Sequence, residues 1–279
     1  VQLLSKRPEI FLPDQWPCYF KSAKGSKIVT YDDVELYDFT NCSVGMCPLG
    51  YANSVINNSV IKVIKKGNTT TLNSYLEYDC AKLLIDTHPW ADMARFTKSG
   101  GEAMSVAVRI ARAYKKKDKV LFCGYHGWSD WYISANIKNS NKLDQHLLPG
   151  VSTLGVPKSL GGLTHPFEFN NEKDFKTKFI KYLKQLSCVV LEPARSTHCN
   201  LNFVKTIRKY CSKYNIPLIF DEITLGWHYT LGGYHKTLGV NPDIAVFSKG
   251  TTNGYPLGAV IGKKNITQKN YNQKISDII

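Results

Sequence analysis

The chain has 279 residues, 43% hydrophobic and 21% charged, enough for one large core or two modest ones. No apolar run approaches the roughly 20 residues of a membrane span, which excludes a transmembrane helix protein. The formal net charge of +14 comes without a zinc finger, an RNA-recognition signature or an aromatic-plus-basic repeat, which argues against a nucleic-acid binder.

The lysines are spread along the chain, and the one tight run, Lys115-Lys116-Lys117, falls at a helix end where cations offset the dipole. The charge therefore reads as solvated surface, with a bias towards anionic small molecules. Eight cysteines at scattered positions show neither Cys-x-x-Cys nor paired Cys/His spacing, so neither a zinc site nor a disulfide framework is expected. Cys123 and Cys188 lie inside apolar runs and behave there as small hydrophobes. Val1-Gln2-Leu3-Leu4-Ser5-Lys6 lacks a signal-peptide layout, so the expected location is the cytoplasm. The chain does not begin with Met.

Residues 1–48 read as an N-terminal segment, part of a small domain, with Pro8, Pro13 and Pro17 interrupting regular structure. Ile28–Tyr31 and Glu35–Phe39, separated by Asp32-Asp33, predict a hairpin. From 49 to 279 a large α/β domain is expected. Ser54 is placed to cap a helix carrying Ile56, Val60, Val63 and Ile64, closed by Gly67. A second helix is predicted over Tyr75–Asp86.

Strands and helices then alternate. Met93–Thr97 predicts a strand, followed by Ser99-Gly100-Gly101 and a helix with Ala103, Val106, Ala107, Ile110, Ala111 and Tyr114 on one stripe. Val120–Cys123 leads into Tyr125-His126-Gly127. Residues 137–167 are loop-rich. A helix with Phe175 and Phe179 precedes the strand Cys188–Leu191, which ends at Glu192. A helix with Phe203, Ile207 and Tyr214 precedes Pro217–Phe220, which ends at Asp221. Ile244–Phe247 ends at Ser248-Lys249-Gly250, and Ala259–Ile261 is a further apolar run. From about Ile266 the sequence reads as a polar helix.

Such alternation predicts a mostly parallel sheet with helices on both faces, and ligands bind beyond the carboxyl ends of its strands. Ser99-Gly100-Gly101, Tyr125-His126, Glu192, Asp221 and Lys249 all leave strand ends, so the topology would gather them on one edge. Gly100 and Gly101 at a helix start offer free N–H groups to a phosphate, although alone the motif is an ordinary capped turn. Asp221 could pair with a cationic ring nitrogen or merely cap a turn. Tyr125 and His126 offer faces for stacking or are rim aromatics. Lys249, at the rim of an apolar sheet, can lose its proton and attack a carbonyl, although a surface lysine is the commoner outcome. Pyridoxal 5′-phosphate complements all four features.

Ser99-Gly100-Gly101-Glu102-Ala103, Tyr125-His126-Gly127, Asp221-Glu222-Ile223 and Ser248-Lys249-Gly250 resemble the ordered motifs of the class III pyridoxal-phosphate aminotransferases. Within them the chain looks most similar to the branch of glutamate-1-semialdehyde 2,1-aminomutase and its aminotransferase relatives. The resemblance, covering about 26–263, implies the type I transferase fold and a homodimer with sites at the subunit interface. It implies that 49–279 is the pyridoxal-phosphate domain and that the family's C-terminal small domain is missing, making these residues a fragment. It also implies amino-group transfer between a small-molecule amino donor and a carbonyl acceptor, through a lysine internal aldimine and a ketimine. Lys249 would carry the aldimine, Asp221 would pair with the pyridine nitrogen, and Ile223 would pack on the ring opposite Tyr125. Gly100 and Gly101, with Ser99, would hold the phosphate. Glu192 lies near the cofactor in the family without an assigned role.

Trp227-His228 replace the Phe-Arg that often follows this Asp-Glu motif, and Trp128–Tyr132 is more aromatic than the aminomutase pattern. His228 would change whatever packing or substrate contact the arginine makes, and the aromatic segment favours an aminotransferase relative acting on a sugar or other carbonyl compound. The alternative is a catalytically impaired fragment or a non-catalytic remnant of the same fold.

Overall fold

The structure is a computed structural model, and it describes residues 8–12, 14–146, 149–194 and 198–267. The polar helix expected from about Ile266 lies almost wholly outside these residues. The described chain divides into two compact units. One comprises the residues up to Ser74 together with Lys249–Tyr255, and the other runs from Tyr75 to Ser248 and resumes at Pro256.

In the smaller unit, β1 (Phe20–Lys24), β2 (Lys27–Thr30) and β3 (Glu35–Tyr37) form an antiparallel sheet in that order. The expected hairpin is present, and β1 is an addition to it. A helix covers Ser54–Ile64, but its cap is Asn53 rather than Ser54. The Asn53 carboxamide oxygen accepts the N–H groups of Val55 and Ile56 at 3.1 and 3.3 Å, satisfying two donors that a helix start leaves bare. Asn253 ties the returning segment 249–255 into this unit. Its side chain accepts the Leu49 N–H and donates to the Gly50 carbonyl, both at 2.9 Å.

The larger unit is built on seven strands: β4 (Met93–Thr97), β5 (Lys119–Cys123), β6 (Thr164–Pro166), β7 (Leu186–Leu191), β8 (Leu218–Asp221), β9 (Ile244–Phe247) and β10 (Gly258–Gly262). Their order is β4-β10-β9-β8-β7-β5-β6. The five strands from β9 to β6 are parallel, whereas β10 runs antiparallel to both its neighbours. Parallel crossovers need about a dozen residues or more, and the link from Phe247 to Gly258 is shorter. Two reversals return β4 to the direction of the parallel strands, so its carboxyl end joins theirs.

Alternate residues along the strands feed different cores. Val120, Phe122, Cys188, Val190, Ile219 and Val246 face the helix Gly100–Lys115, through Ala103, Met104, Ala107, Val108 and Ala111. Leu121, Val189, Leu191 and Phe220 meet the helices Glu172–Tyr182 and Leu201–Lys213 on the other face, through Phe175, Phe179, Phe203 and Ile207. Beside them, Ala245, Phe247, Ala259 and Ile261 are covered by the helix Tyr75–Thr87. Covering both faces lets the strands be apolar throughout, which is why they read as short unbroken runs rather than alternating ones. No helix among the described residues is long and apolar enough to cross a membrane.

At the amino edge of this sheet Asp243 is buried and joins three elements. One carboxylate oxygen accepts the Leu218 N–H at 2.9 Å and the Arg208 guanidinium at 2.7 Å, and the other accepts the Lys263 ammonium at 2.7 Å. Burial pushes its pKa up, but Arg208, Lys263 and the backbone donor outweigh that and hold it below the usual carboxylate range. A depressed folded value means stability that is present above the unfolded pKa and lost as pH falls through the folded one. Asp243→Asn, which keeps the shape and loses the charge, should cost roughly 1.5–3 kcal/mol in urea unfolding at neutral pH. A loss within error would show the three contacts to be incidental.

Candidate active site

The carboxyl edge of the larger unit is assembled from three turns that touch. β5 exits through Gly124 at φ +114°, where an added Cβ would stand 2.4 Å from Glu192 Cβ. Only glycine permits this approach, which brings the exit of β5 against that of β7. Glu192 is buried and its carboxylate accepts the Tyr125 N–H at 2.9 Å, while its own N–H goes to the Cys123 carbonyl. The residue without an assigned role is thus the fastening of the Tyr125 turn. Tyr125 remains half-buried, edge-on to Trp128 and Tyr132 with ring centres 6.2 and 6.0 Å away.

The same turn reaches the helix Gly100–Lys115. Gly127, at φ +92°, would place a Cβ 3.3 Å from the Gly101 Cα. Ser99 caps the helix, its hydroxyl accepting the Glu102 N–H at 3.3 Å. The first N–H groups of a helix have no intrahelical partner, and those of Gly100 and Gly101 stand at the positive end of the helix dipole. A side chain at Gly100 would come within 2.8 Å of Ile223 Cδ1, so Ile223 lies directly on the cradle.

Asp221, the last residue of β8, is 3% exposed. One carboxylate oxygen accepts the Ile223 N–H at 3.1 Å, and the other meets His126 Nδ1 at 2.8 Å. This corrects the expectation for His126, which is not a stacking face at the rim. It is 1% exposed, packed against Trp131 (6.1 Å, 24° between planes) and edge-on to Phe122 and Tyr132. The carboxylate accepts, so Nδ1 carries the proton, and Nε2 is buried with no hydrogen-bond partner among the described residues. Seven predicted residues, Ser99, Gly100, Gly101, Tyr125, His126, Asp221 and Ile223, therefore converge.

Lys249 belongs to the other compact unit, where it opens the turn Lys249–Thr252. Its φ of +47° is in the left-handed region, which costs a lysine backbone energy and is commonest where function demands it. It follows Ser248, whose hydroxyl donates to the Leu257 carbonyl at 2.6 Å and so fixes the end of β9.

Glu222 was missed beside Asp221. It is fully buried and accepts the N–H groups of Tyr234 and His235 at 2.9 and 2.8 Å and His235 Nδ1 at 2.9 Å. His235 Nε2 in turn accepts the Trp90 indole N–H at 3.1 Å. An Asp-Glu pair closing an apolar strand is the signal that was available, since neither carboxylate can sit there without donors.

A family model described as aminotransferase class-III matches residues 13–273. The chain belongs to the class-III aminotransferases. It is 34% identical over 265 residues to glutamate-1-semialdehyde 2,1-aminomutase of Thermosipho melanesiensis, covering 90% of this chain and 60% of that one. It is 30% identical over 270 residues to 3-aminobutyryl-CoA aminotransferase of Cloacimonas acidaminovorans, covering 94% of this chain and 61% of that one. The chain thus spans about 60% of the length of these curated relatives. Among solved structures, an omega-transaminase from Sphaerobacter thermophilus superposes with a TM-score of 0.80 at 26% identity, over 94% of this chain and 63% of that one. The FumI protein of Sphingopyxis sp. MTA144 gives 0.83 at 25%, over 96% and 62%. This class-III chain therefore has the type I transferase fold, and the cofactor of its family is pyridoxal 5′-phosphate.

His146 closes the back of the site, its Nδ1 accepting the Gly124 N–H at 3.1 Å. Burial first, then the neighbouring His126 and Lys178, lowers its pKa from 6.5 to about 4. The fold therefore favours neutral His146, and the unfolded chain takes up the proton first on acidification. Stability should fall as pH drops from about 6.5 to 4, by on the order of 3 kcal/mol from this residue. His146→Gln, which keeps an acceptor for Gly124 and does not titrate, should flatten the stability–pH curve in that window. An unchanged slope would assign the acid sensitivity elsewhere.

Proposed function

We propose that this class-III chain carries pyridoxal 5′-phosphate on Lys249 and transfers amino groups between a small-molecule donor and a carbonyl acceptor. The observation that carries the reading is the buried Asp221–His126 pair beside the bare helix start at Gly100-Gly101. The donor set fits the cofactor: backbone N–H groups for a phosphate, a carboxylate for a ring nitrogen, and Tyr125 and Ile223 for the two ring faces. Lys249 is three residues on from Val246, which pairs in register with Asp221.

When bound, the cofactor supplies an electron sink for the carbanion formed at the substrate Cα. The chain's own residues do the rest. Gly100 and Gly101 bind the phosphate, with Ser99 holding the helix start in place. Asp221 keeps a proton on the ring nitrogen, and His126 Nδ1–H fixes the carboxylate that does so. Lys249 Nζ takes and returns the proton at Cα, since a neutral amine held near its target is a competent general base. Glu192 holds Tyr125 in position through its backbone.

The reading extends to a homodimer and to the cytoplasm. Its support for a second copy is the helix Tyr75–Thr87, on which Tyr75, Tyr78 and Leu83 are exposed large apolar residues. Amino transfer itself requires an aldehyde or ketone as acceptor, and the relatives are named for an amino acyl-coenzyme A and an amino semialdehyde.

Borohydride reduction of the protein with pyridoxal phosphate, followed by peptide mapping, should place the label on Lys249. A label consistently on another lysine defeats the assignment. Asp221→Asn should retain the cofactor and lose roughly 10²-fold or more in turnover, the scale of removing one preorganised charge. Near-normal transamination by that variant would reduce Asp221 to a turn cap.

A further inference from the structure

We propose that the outer edge of the sheet, where β6 meets the end of the helix Glu172–Tyr182, holds a site for a phosphate-bearing small anion built from His165, Lys119, Lys138, Lys142 and Lys181. None of these residues belongs to the amino-transfer machinery. Lys119 opens β5, and Gly124 is five residues further on, roughly 16 Å along an extended strand.

His165 lies on β6, the last strand of the sheet, paired in register with Leu121. It is 8% exposed, and its ring stacks face to face on Tyr182 at 3.9 Å and 8°. Its Nε2 is buried and finds no hydrogen-bond partner among the described residues. An unmatched polar atom in that position costs about 1–3 kcal/mol and marks where a ligand's polar atom would fit.

Ammonium groups gather around it. The Nζ atoms of Lys119 and Lys181 stand 4.7 and 5.4 Å from the Tyr182 ring centre. Lys138 Nζ lies 2.9 Å from where Gly162, three residues before His165, would carry a Cβ. Lys142 is half-buried, and its pKa is lowered by that burial and then by Lys178, Lys138 and Lys181. Burial, then Lys119 and Lys142, hold His165 at about 4. Lys178 is matched by Asp174 at 2.8 Å. Among the described residues no carboxylate pairs with Lys119, Lys138, Lys142 or Lys181.

Like charges brought together without counter-charges repel, and a partly buried lysine feels this more than a solvated one. A phosphate or polyphosphate would offset these ammonium groups, and an oxygen facing His165 Nε2 would be met by a proton taken up there, because the His165 ring also bonds the Gly162 backbone. Lysines serve such an anion as compact point charges. A nucleic-acid strand fits less well, because strand binding relies on open aromatic faces for base stacking. The Tyr182 ring is already occupied by His165 and the two lysines.

Titration calorimetry with tripolyphosphate and with inorganic phosphate, at constant ionic strength, tests the site. Saturable binding in the millimolar range or tighter is expected, stronger for tripolyphosphate. The double variant Lys142→Gln/Lys181→Gln, which keeps most of each side chain and removes only the two ammonium groups, should leave the circular dichroism spectrum intact and weaken binding about tenfold or more. His165→Asn should weaken it as well. Absence of saturable binding overturns the proposal. So does equal affinity in the lysine variant, which would place the anion at the Gly100-Gly101 cradle. An oligonucleotide that binds far more tightly than tripolyphosphate, through the same lysines, overturns the small-anion assignment.

Discussion

A carboxylate that ends a buried strand has to be given hydrogen-bond donors, and at the carboxyl edge of this sheet three carboxylates impose that demand together. Glu192, Asp221 and Glu222 are all buried where β7 and β8 finish. Each draws in the backbone that follows a strand: Glu192 takes the Tyr125 N–H, Asp221 that of Ile223, and Glu222 those of Tyr234 and His235. The loops at this edge are consequently set by charge as much as by chain length. An unpaired carboxylate there would cost several kcal/mol, so the turns are held wherever the carboxylates need them. That is how a mobile type of element comes to present fixed side chains.

The three carboxylates differ in what they leave available. Glu222 accepts three hydrogen bonds, from two backbone N–H groups and His235 Nδ1, and His235 Nε2 in turn accepts from Trp90. Asp221 spends one contact on each oxygen and keeps lone pairs for a further donor, with a histidine on its far side to fix its orientation. Two adjacent carboxylates of nearly the same chemistry thus differ in the acceptor capacity they leave, Asp221 keeping more than Glu222.

Much of this edge was legible in the sequence because each strand ends where its apolar run ends. Met93–Thr97, Ile244–Phe247 and the run before Asp221 placed the motifs correctly, since burial on both faces leaves short unbroken apolar segments. What escaped was set by partners remote in sequence. The burial of His126 depends on Asp221, 95 residues away, and nothing in Tyr-His-Gly distinguishes an inward imidazole from an outward one. β6 is only three residues long and contains Pro166, so no periodicity announces it. β1, Phe-Lys-Ser-Ala-Lys, has one large apolar residue and gains its place by pairing with β2. The Asn53 cap was misread as Ser54 by one position, the usual scale of error for a helix end.

The reversed strand β10 is the exception that could have been read. Its link from β9 is too short for a helical crossover, which by itself demands an antiparallel neighbour. The reversal has a local structural consequence. Because β10 turns back immediately, the segment between it and β9 is a tight excursion rather than a crossover helix, and Lys249 opens that excursion at a positive φ. Asn253 anchors the other part of it to residues 49 and 50, and Ser248 holds its start to Leu257. The antiparallel return fixes the end of β9 through Ser248 and Leu257, as the carboxylates fix the turns at Tyr125 and Ile223.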